Sequence, residues 1–346
     1  MLRFECDYTE GCIPEILEAI ALHNHAQYPG YSEDACTERA RARMKALCGR
    51  EDIAVHFLVG GTQANTTVIA AALRHHQGVI AAATGHIACH ETGAVEAAGH
   101  KVIALPSETG RLSAQQIENL CTAHWSDPSF EHQTQPAMVY LSHPAENGTI
   151  YSLSELREIR AVCDKWHLKL FLDGARLGYG LAAPDSDVTV QDLAQLTDVF
   201  YLGGTKVGAL FGEAVVITDP ELAVDFRYHI KQRGGMLAKG WLLGLQFDVL
   251  LENDRYMTIS RKAVAQAMRI KKALTDKGIS FWSDSNTNQL FPILPNQALL
   301  ELEKTYVFNH TEKMDETHTA VRICTSWATT DEHVDALVAD IQRVLA

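Results

Sequence analysis

The chain has 346 residues, 47% hydrophobic and 21% charged, which places it among ordinary globular proteins and excludes disordered, fibrous and collagen-like classes. Its formal net charge is −13 and no basic run is segregated, so neither a nucleic acid nor a membrane surface is expected as a partner. Eight cysteines contain no Cys-x-x-Cys pair and 16 histidines no His-Glu-x-x-His pattern, so no metal site is predicted and reduced thiols in a cytoplasmic protein are expected. The acidic start Phe4-Glu5-Cys6-Asp7 does not read as a signal peptide, and no apolar run approaches the ~18 residues of a membrane span.

In chain order, apolar β-branched runs predict strands at residues 54–59, 79–83, 101–105, 137–141, 169–172, 199–202 and 214–217. Longer helical patterns separate them. In residues 152–166 a serine can cap, Glu155 sits in the first turn, and Leu156, Ile159 and Cys163 share one face. This alternation, with strands apolar throughout, predicts a mostly parallel seven-stranded sheet covered on both faces. Beyond Asp219 the texture turns to long helices at 221–230, 236–252 and 255–277. Strands at 289–293, 305–308 and 321–325 and a helix near 331–345 then predict a small α+β unit. The expected division is therefore residues 1–250, a large α/β domain that includes the N-terminal segment, and 251–346, a small C-terminal α+β domain.

Four segments carry candidate chemistry. Ligands of parallel sheets collect at the carboxyl ends of strands, and Phe171-Leu172-Asp173-Gly174-Ala175-Arg176 presents a carboxylate and a guanidinium there. A second strand runs into Gly203-Gly204-Thr205-Lys206, where partial desolvation would make the amine a nucleophile suited to a Schiff base. A third passes through Val59-Gly60-Gly61-Thr62-Gln63 into a helix, whose free N–H groups can hold a phosphate without lysines. At the fourth, Gly85-His86-Ile87, the imidazole can lie flat over a planar ring. Each segment alone also has a bland structural reading. Together they match what pyridoxal 5′-phosphate (PLP) requires: a lysine for its aldehyde, an anion for its pyridine nitrogen and a helix start for its phosphate.

With Tyr31-Ser32-Glu33-Asp34, Gly61-Thr62-Gln63-Ala64-Asn65, His86 with Glu91 and Gly93, Asp173-Gly174-Ala175-Arg176, Lys206 and Val321-Arg322, the sequence resembles the PLP-dependent low-specificity L-threonine aldolase and β-eliminating lyase family. That resemblance implies the aspartate-aminotransferase fold and PLP as cofactor. It implies Lys206 as the cofactor lysine, Asp173 as partner of the pyridine nitrogen, His86 as the stacking residue, and Gly61 with Thr62 as phosphate ligands. Arg176 and Arg322 would clamp the carboxylate of a small amino-acid substrate, a task that suits guanidinium geometry. Family members are oligomers with shared active sites, which implies a homodimer or homotetramer and a role for Tyr31 in a neighbour's site. The chain departs from the family pattern in places. Glu5-Cys6-Asp7-Tyr8 stands for Arg-Ser-Asp-Thr, Glu146 for a histidine, and Gly234-Gly235-Met236-Leu237-Ala238-Lys239 leaves Lys239 as the candidate phosphate cation. The expected reaction is cleavage of the Cα–Cβ bond of β-hydroxy-α-amino acids such as L-threonine or L-allo-threonine, giving glycine and an aldehyde, with His86 or Glu146 as base. The alternatives are β-elimination releasing ammonia and pyruvate, and a non-catalytic binding protein of the same fold.

Overall fold

The computed structural model describes residues 1–345. Its centre is a seven-stranded sheet whose spatial order is Ala54–Leu58, Glu213–Ile217, Val199–Gly203, Lys169–Asp173, Gln135–Ser142, Gln77–Ala82 and Lys101–Leu105. Six strands run one way. Glu213–Ile217 is antiparallel to both of its neighbours, so its first residue lies where theirs end.

Successive side chains alternate between two buried faces. Val139, Leu141, Leu170, Leu172, Phe200 and Leu202 pack on one side, and Met138, Tyr140, Phe171, Val199 and Tyr201 on the other. Both sides are dry, which is why the strands read as continuous apolar runs. The helix Leu153–Trp166 starts on the expected serine: Ser152 and Glu155 form a reciprocal capping box. Gly174 is the tightest point between the neighbouring strands Lys169–Asp173 and Val199–Gly203. A Cβ there would lie 2.0 Å from the carbonyl oxygen of Tyr201, so the strand ends beside it can meet only over a glycine.

All seven expected strands are present, five of them lengthened or shifted by a residue or two. The helices past Asp219 differ more. The expected helix 221–230 is split into Pro220–Ala223 and Phe226–Gln232 by Asp225, whose φ of 59° lies in the left-handed region. The next begins at Trp241 rather than 236, after the glycines of the preceding turn.

The C-terminal part is a four-stranded antiparallel sheet of Phe281–Ser283, Gln289–Pro295, Asn309–Lys313 and His318–Cys324, packed under the helix Asp331–Val344. Its core, with Leu290, Val321, Ile323, Val334, Leu337 and Ile341, is separate from that of the large sheet. The long helix Arg255–Asp276 serves both: Tyr256, Ala263 and Val264 enter the larger core, and Ala267, Ile270 and Leu274 the smaller. The N-terminal segment departs from the expected division. Leu2 and Arg3 pair with Tyr306 and Val307, and Phe4 is buried in the smaller core, because an apolar residue at position 4 finds its partners there. The chain then crosses to the large sheet, where Asp7 pairs with Arg176. Among the described residues, no helix is long and apolar enough to cross a membrane.

Candidate active site

At the carboxyl edge of the large sheet a cavity of about 200 Å³ is lined by residues that include Gly60, Gly61, Thr62, His86, Ser142, Glu146, Asp173, Arg176, Tyr201, Lys206 and Glu213. The carboxyl ends of five strands and the first residue of a sixth thus converge on one space.

Asp173 is the last residue of its strand and is buried. Its Oδ1 accepts from the Ala175 N–H at 2.9 Å, while Oδ2 accepts from Tyr140 Oη and from Asn65 Nδ2 at 3.2 Å. Donors on both oxygens fix the orientation of the carboxylate. Asn65 Nδ2 also donates to Glu91 Oε1 at 2.8 Å, and that oxygen lies 2.8 Å from His86 Nδ1. A continuous polar chain therefore runs from the imidazole to Asp173. The bond to Glu91 raises the His86 pKa against the opposing effect of burial, with help from the negative charge of Asp173. Glu91 itself is buried beneath the site.

Lys206 sits in a tight loop between Val199–Gly203 and Glu213–Ile217. Gly204 and Thr205 donate their N–H groups to the Gly212 carbonyl, at 2.9 and 3.1 Å, and Tyr179 Oη donates to the Lys206 carbonyl at 2.7 Å. The loop is held by its backbone, which leaves the side chain free to enter the cavity. Burial, reinforced by the Arg176 charge, lowers the pKa of the amine. This is the desolvated lysine that the glycine-flanked motif predicts.

The helix Gly61–Ala72 begins at the cavity wall, and the N–H groups of Gly61 and Thr62 have no acceptor among the described residues. Buried polar atoms close by are also unpaired, Tyr201 Oη and Glu146 Oε2 among them. An amine, a fixed carboxylate, a helix start and unpaired polar atoms around one cavity fit PLP: the helix start for its phosphate, Asp173 for its ring nitrogen, Lys206 for its aldehyde.

Glu146 lines the same cavity beside His86. Its Oε1 accepts from the His86 N–H at 2.8 Å and from Ser142 Oγ at 2.7 Å, leaving Oε2 without a partner. Burial raises its pKa. Arg176 reaches the cavity, and its Nε and Nη2 donate to Asp7 Oδ2 and Oδ1 at 2.7 and 2.9 Å. Arg322 is not part of the lining; its guanidinium donates to the Glu5 carbonyl at 2.8 and 3.2 Å. Its charge is nevertheless felt at His90, whose pKa is lowered by burial, by His86 and by Arg322.

Two expected site residues lie elsewhere in this chain. Tyr31 is 45% exposed, with Lys231 Nζ 5.0 Å from its ring centroid, and Lys239 is exposed. They share one patch, since the Tyr31 N–H donates to the Ala238 carbonyl. Sequence reasoning passed over Asn65, Tyr140, Asp7 and Glu213 as site residues. A single acidic residue heading the apolar run Ala214-Val215-Val216-Ile217 was a readable signal for Glu213; nothing local marks Asp7, whose partner lies 169 positions away.

Comparison with known proteins identifies the family. The family model for β-eliminating lyases matches residues 8–316. The low specificity L-threonine aldolase of Pseudomonas aeruginosa is 28% identical, over 99% of this chain and 98% of its own. The threonine aldolase of Leishmania major superposes with a TM-score of 0.97 at 41% identity, covering 100% of both chains. The histidinol-phosphate aminotransferase of Clostridium acetobutylicum has a TM-score of 0.72 at 12% identity, over 100% of this chain and 99% of that one, a likeness of fold alone. The chain belongs to the β-eliminating lyase family, as a PLP-dependent lyase of the threonine aldolase type.

Proposed function

We propose that the protein cleaves the Cα–Cβ bond of β-hydroxy-α-amino acids, with L-threonine and L-allo-threonine as the expected substrates, to glycine and an aldehyde. The observation that carries this reading is Glu146: a buried carboxylate on the cavity wall with one oxygen tethered and the other unpaired. Such a group can take the β-hydroxyl proton, which aldol cleavage requires. His86 is a poorer base, because its Nδ1 is bound to Glu91 and its role would be to lie against the ring. General-base work needs reach first and a suitable pKa second, and burial moves Glu146 toward neutrality.

The bound cofactor supplies an electron sink for the pair released at Cα. In this reading Lys206 holds it, Asp173 keeps its ring nitrogen protonated, and Gly61 and Thr62 carry its phosphate. Arg176 binds the substrate carboxylate through the guanidinium edge that Asp7 leaves open, with Arg322 closing from the small domain. The α-amino acid is thereby oriented so that the scissile bond, rather than Cα–H, stands across the ring. Tyr31 and Lys239, outside the cavity yet adjacent to each other, would serve a neighbouring copy in a homodimer or homotetramer, Lys239 as a phosphate cation.

The test is incubation with L-threonine, L-allo-threonine, phenylserine and cysteine, scoring glycine against ammonia. Glycine with a matching amount of aldehyde is expected. Ammonia and pyruvate, with no glycine from any hydroxy substrate, would replace aldol cleavage by β-elimination.

A further inference from the structure

Glu213 is a buried acid for which none of the roles above has a use. It opens the one reversed strand of the sheet and pairs in register with Leu58 on one side and Gly203 on the other. Leu58 leads into Gly60 and Gly61 at the helix start, and Gly203 leads into Lys206. Glu213 therefore stands between the candidate phosphate cradle and the candidate cofactor lysine, and it lines the same cavity as both. Its Oε1 accepts from Thr205 Oγ1 at 2.9 Å and its Oε2 from the Gly204 N–H at 3.2 Å.

An acid in this place is unexpected beside a dianion. As a carboxylate it would repel the phosphate across a low-dielectric cavity; as a neutral acid it has a proton to donate. The groups that face it are Lys206, which favours its charged form, and Asp173, which disfavours it, together with the hydroxyls of Tyr201 and Tyr256, whose own ionisation its charge opposes. Burial outweighs Lys206 and pushes the carboxyl up to about 8. An arriving phosphate adds negative charge on the neutral-acid side of that balance.

We propose that Glu213 is a further binding residue of the cofactor site, one that holds the lysine loop through Thr205 and Gly204 and donates its own proton to the cofactor phosphate. The proposal rests on the reading that Gly61 and Thr62 carry that phosphate. Cofactor capture then takes up a proton at Glu213, and the advantage given by the phosphate fades in alkaline solution.

The test compares pyridoxamine 5′-phosphate with pyridoxamine by titration calorimetry on the full chain freed of cofactor, between pH 7 and pH 9.5. Neither probe bonds covalently to Lys206, and their ratio of affinities cancels effects at the ring nitrogen. In the wild type that ratio should fall toward about tenfold per pH unit above pH 8, the limit for one linked proton. In Glu213→Gln it should fall much less, the slope left by Lys206 alone. Equal slopes in the two proteins would overturn the proposal while leaving the phosphate site standing. No advantage of the phosphate ester in either protein at any pH would overturn both. If Glu213→Gln does not fold, the wild type decides: in buffers of different ionisation enthalpy near pH 9, the ester must take up more protons than pyridoxamine, and equal uptake refutes the role.

Discussion

The substitution Asp7→Asn probes the junction that holds Arg176, the proposed ligand of the substrate carboxylate. Asp7 is fully buried, and Arg176, 14% exposed, gives it two charge-assisted hydrogen bonds; Asn288 Nδ2 adds a third at 2.9 Å. Stripping one partner from a buried pair costs about 3–5 kcal/mol, because the surviving charge is left unpaired. Asparagine keeps one acceptor oxygen, so the lower end, about 3 kcal/mol, is expected, or roughly a hundredfold in the unfolding equilibrium. Urea titration of both proteins at neutral pH measures it. The pH dependence has a definite sign. Burial opposes ionisation of Asp7, but Arg176, Lys206 and the hydrogen bonds together hold its carboxyl below the ordinary value. Its stabilisation is therefore complete above the unfolded value near ~3.9 and is lost as pH falls through the lower folded one, so the two stability curves converge in acid. Arg176 released from Asp7 also loses its orientation, so KM for the amino acid should rise more than kcat falls. An Asp7→Asn protein with wild-type urea midpoint and wild-type KM would refute this account of Arg176.

Three further outcomes follow from the same geometry. Glu146→Gln should lower kcat for aldol cleavage by about 10²–10⁴-fold, and the wild-type acid limb, set above the ordinary glutamate range by burial, should disappear from the kcat–pH profile. Glu91→Gln keeps an acceptor for His86 but removes the carboxylate charge that strengthens the bond raising its pKa, so the ring titrates at a lower pH by NMR. The raised His86 contributes stability that is full below its unfolded value and is lost as pH rises through the folded one, so this variant loses most in mild acid. Gly174→Ala should cost about 3 kcal/mol or more, because the new Cβ meets backbone that cannot turn aside; thermal melting and soluble yield report it.

What could be read in the sequence, and what could not, divides along physical lines. The inner strands of the large sheet were legible because both faces are buried, so each is a continuous apolar run bounded by polar residues; the edge strand Lys101–Leu105, with Lys101 and Ala104 exposed, was legible from its apolar run alone. Asn309–Lys313 escaped for the opposite reason: all five of its residues are exposed and polar, and only pairing with His318–Cys324 makes it a strand. Phe281–Ser283 is three residues long, too short for a period. Asp225 broke a helix that periodicity alone would continue, since its left-handed backbone leaves the apolar pattern intact. Lys206, Asp173, Gly61 and His86 were readable as residues just past strand ends, where an α/β sheet gathers its ligands. Their supports were not. Tyr140 and Asn65 reach Asp173 from 33 and 108 positions away, and Asp7 reaches Arg176 from 169. Such contacts exist only after folding.

The central claim, that Lys206 is the amine holding PLP in this cavity, is most directly tested by borohydride reduction of the cofactor-loaded protein followed by peptide mass mapping. The added cofactor mass should fall on the peptide containing Lys206, in near-stoichiometric yield, and on no other lysine. A label on a different lysine, with Lys206 unmodified, would contradict the assignment of the site.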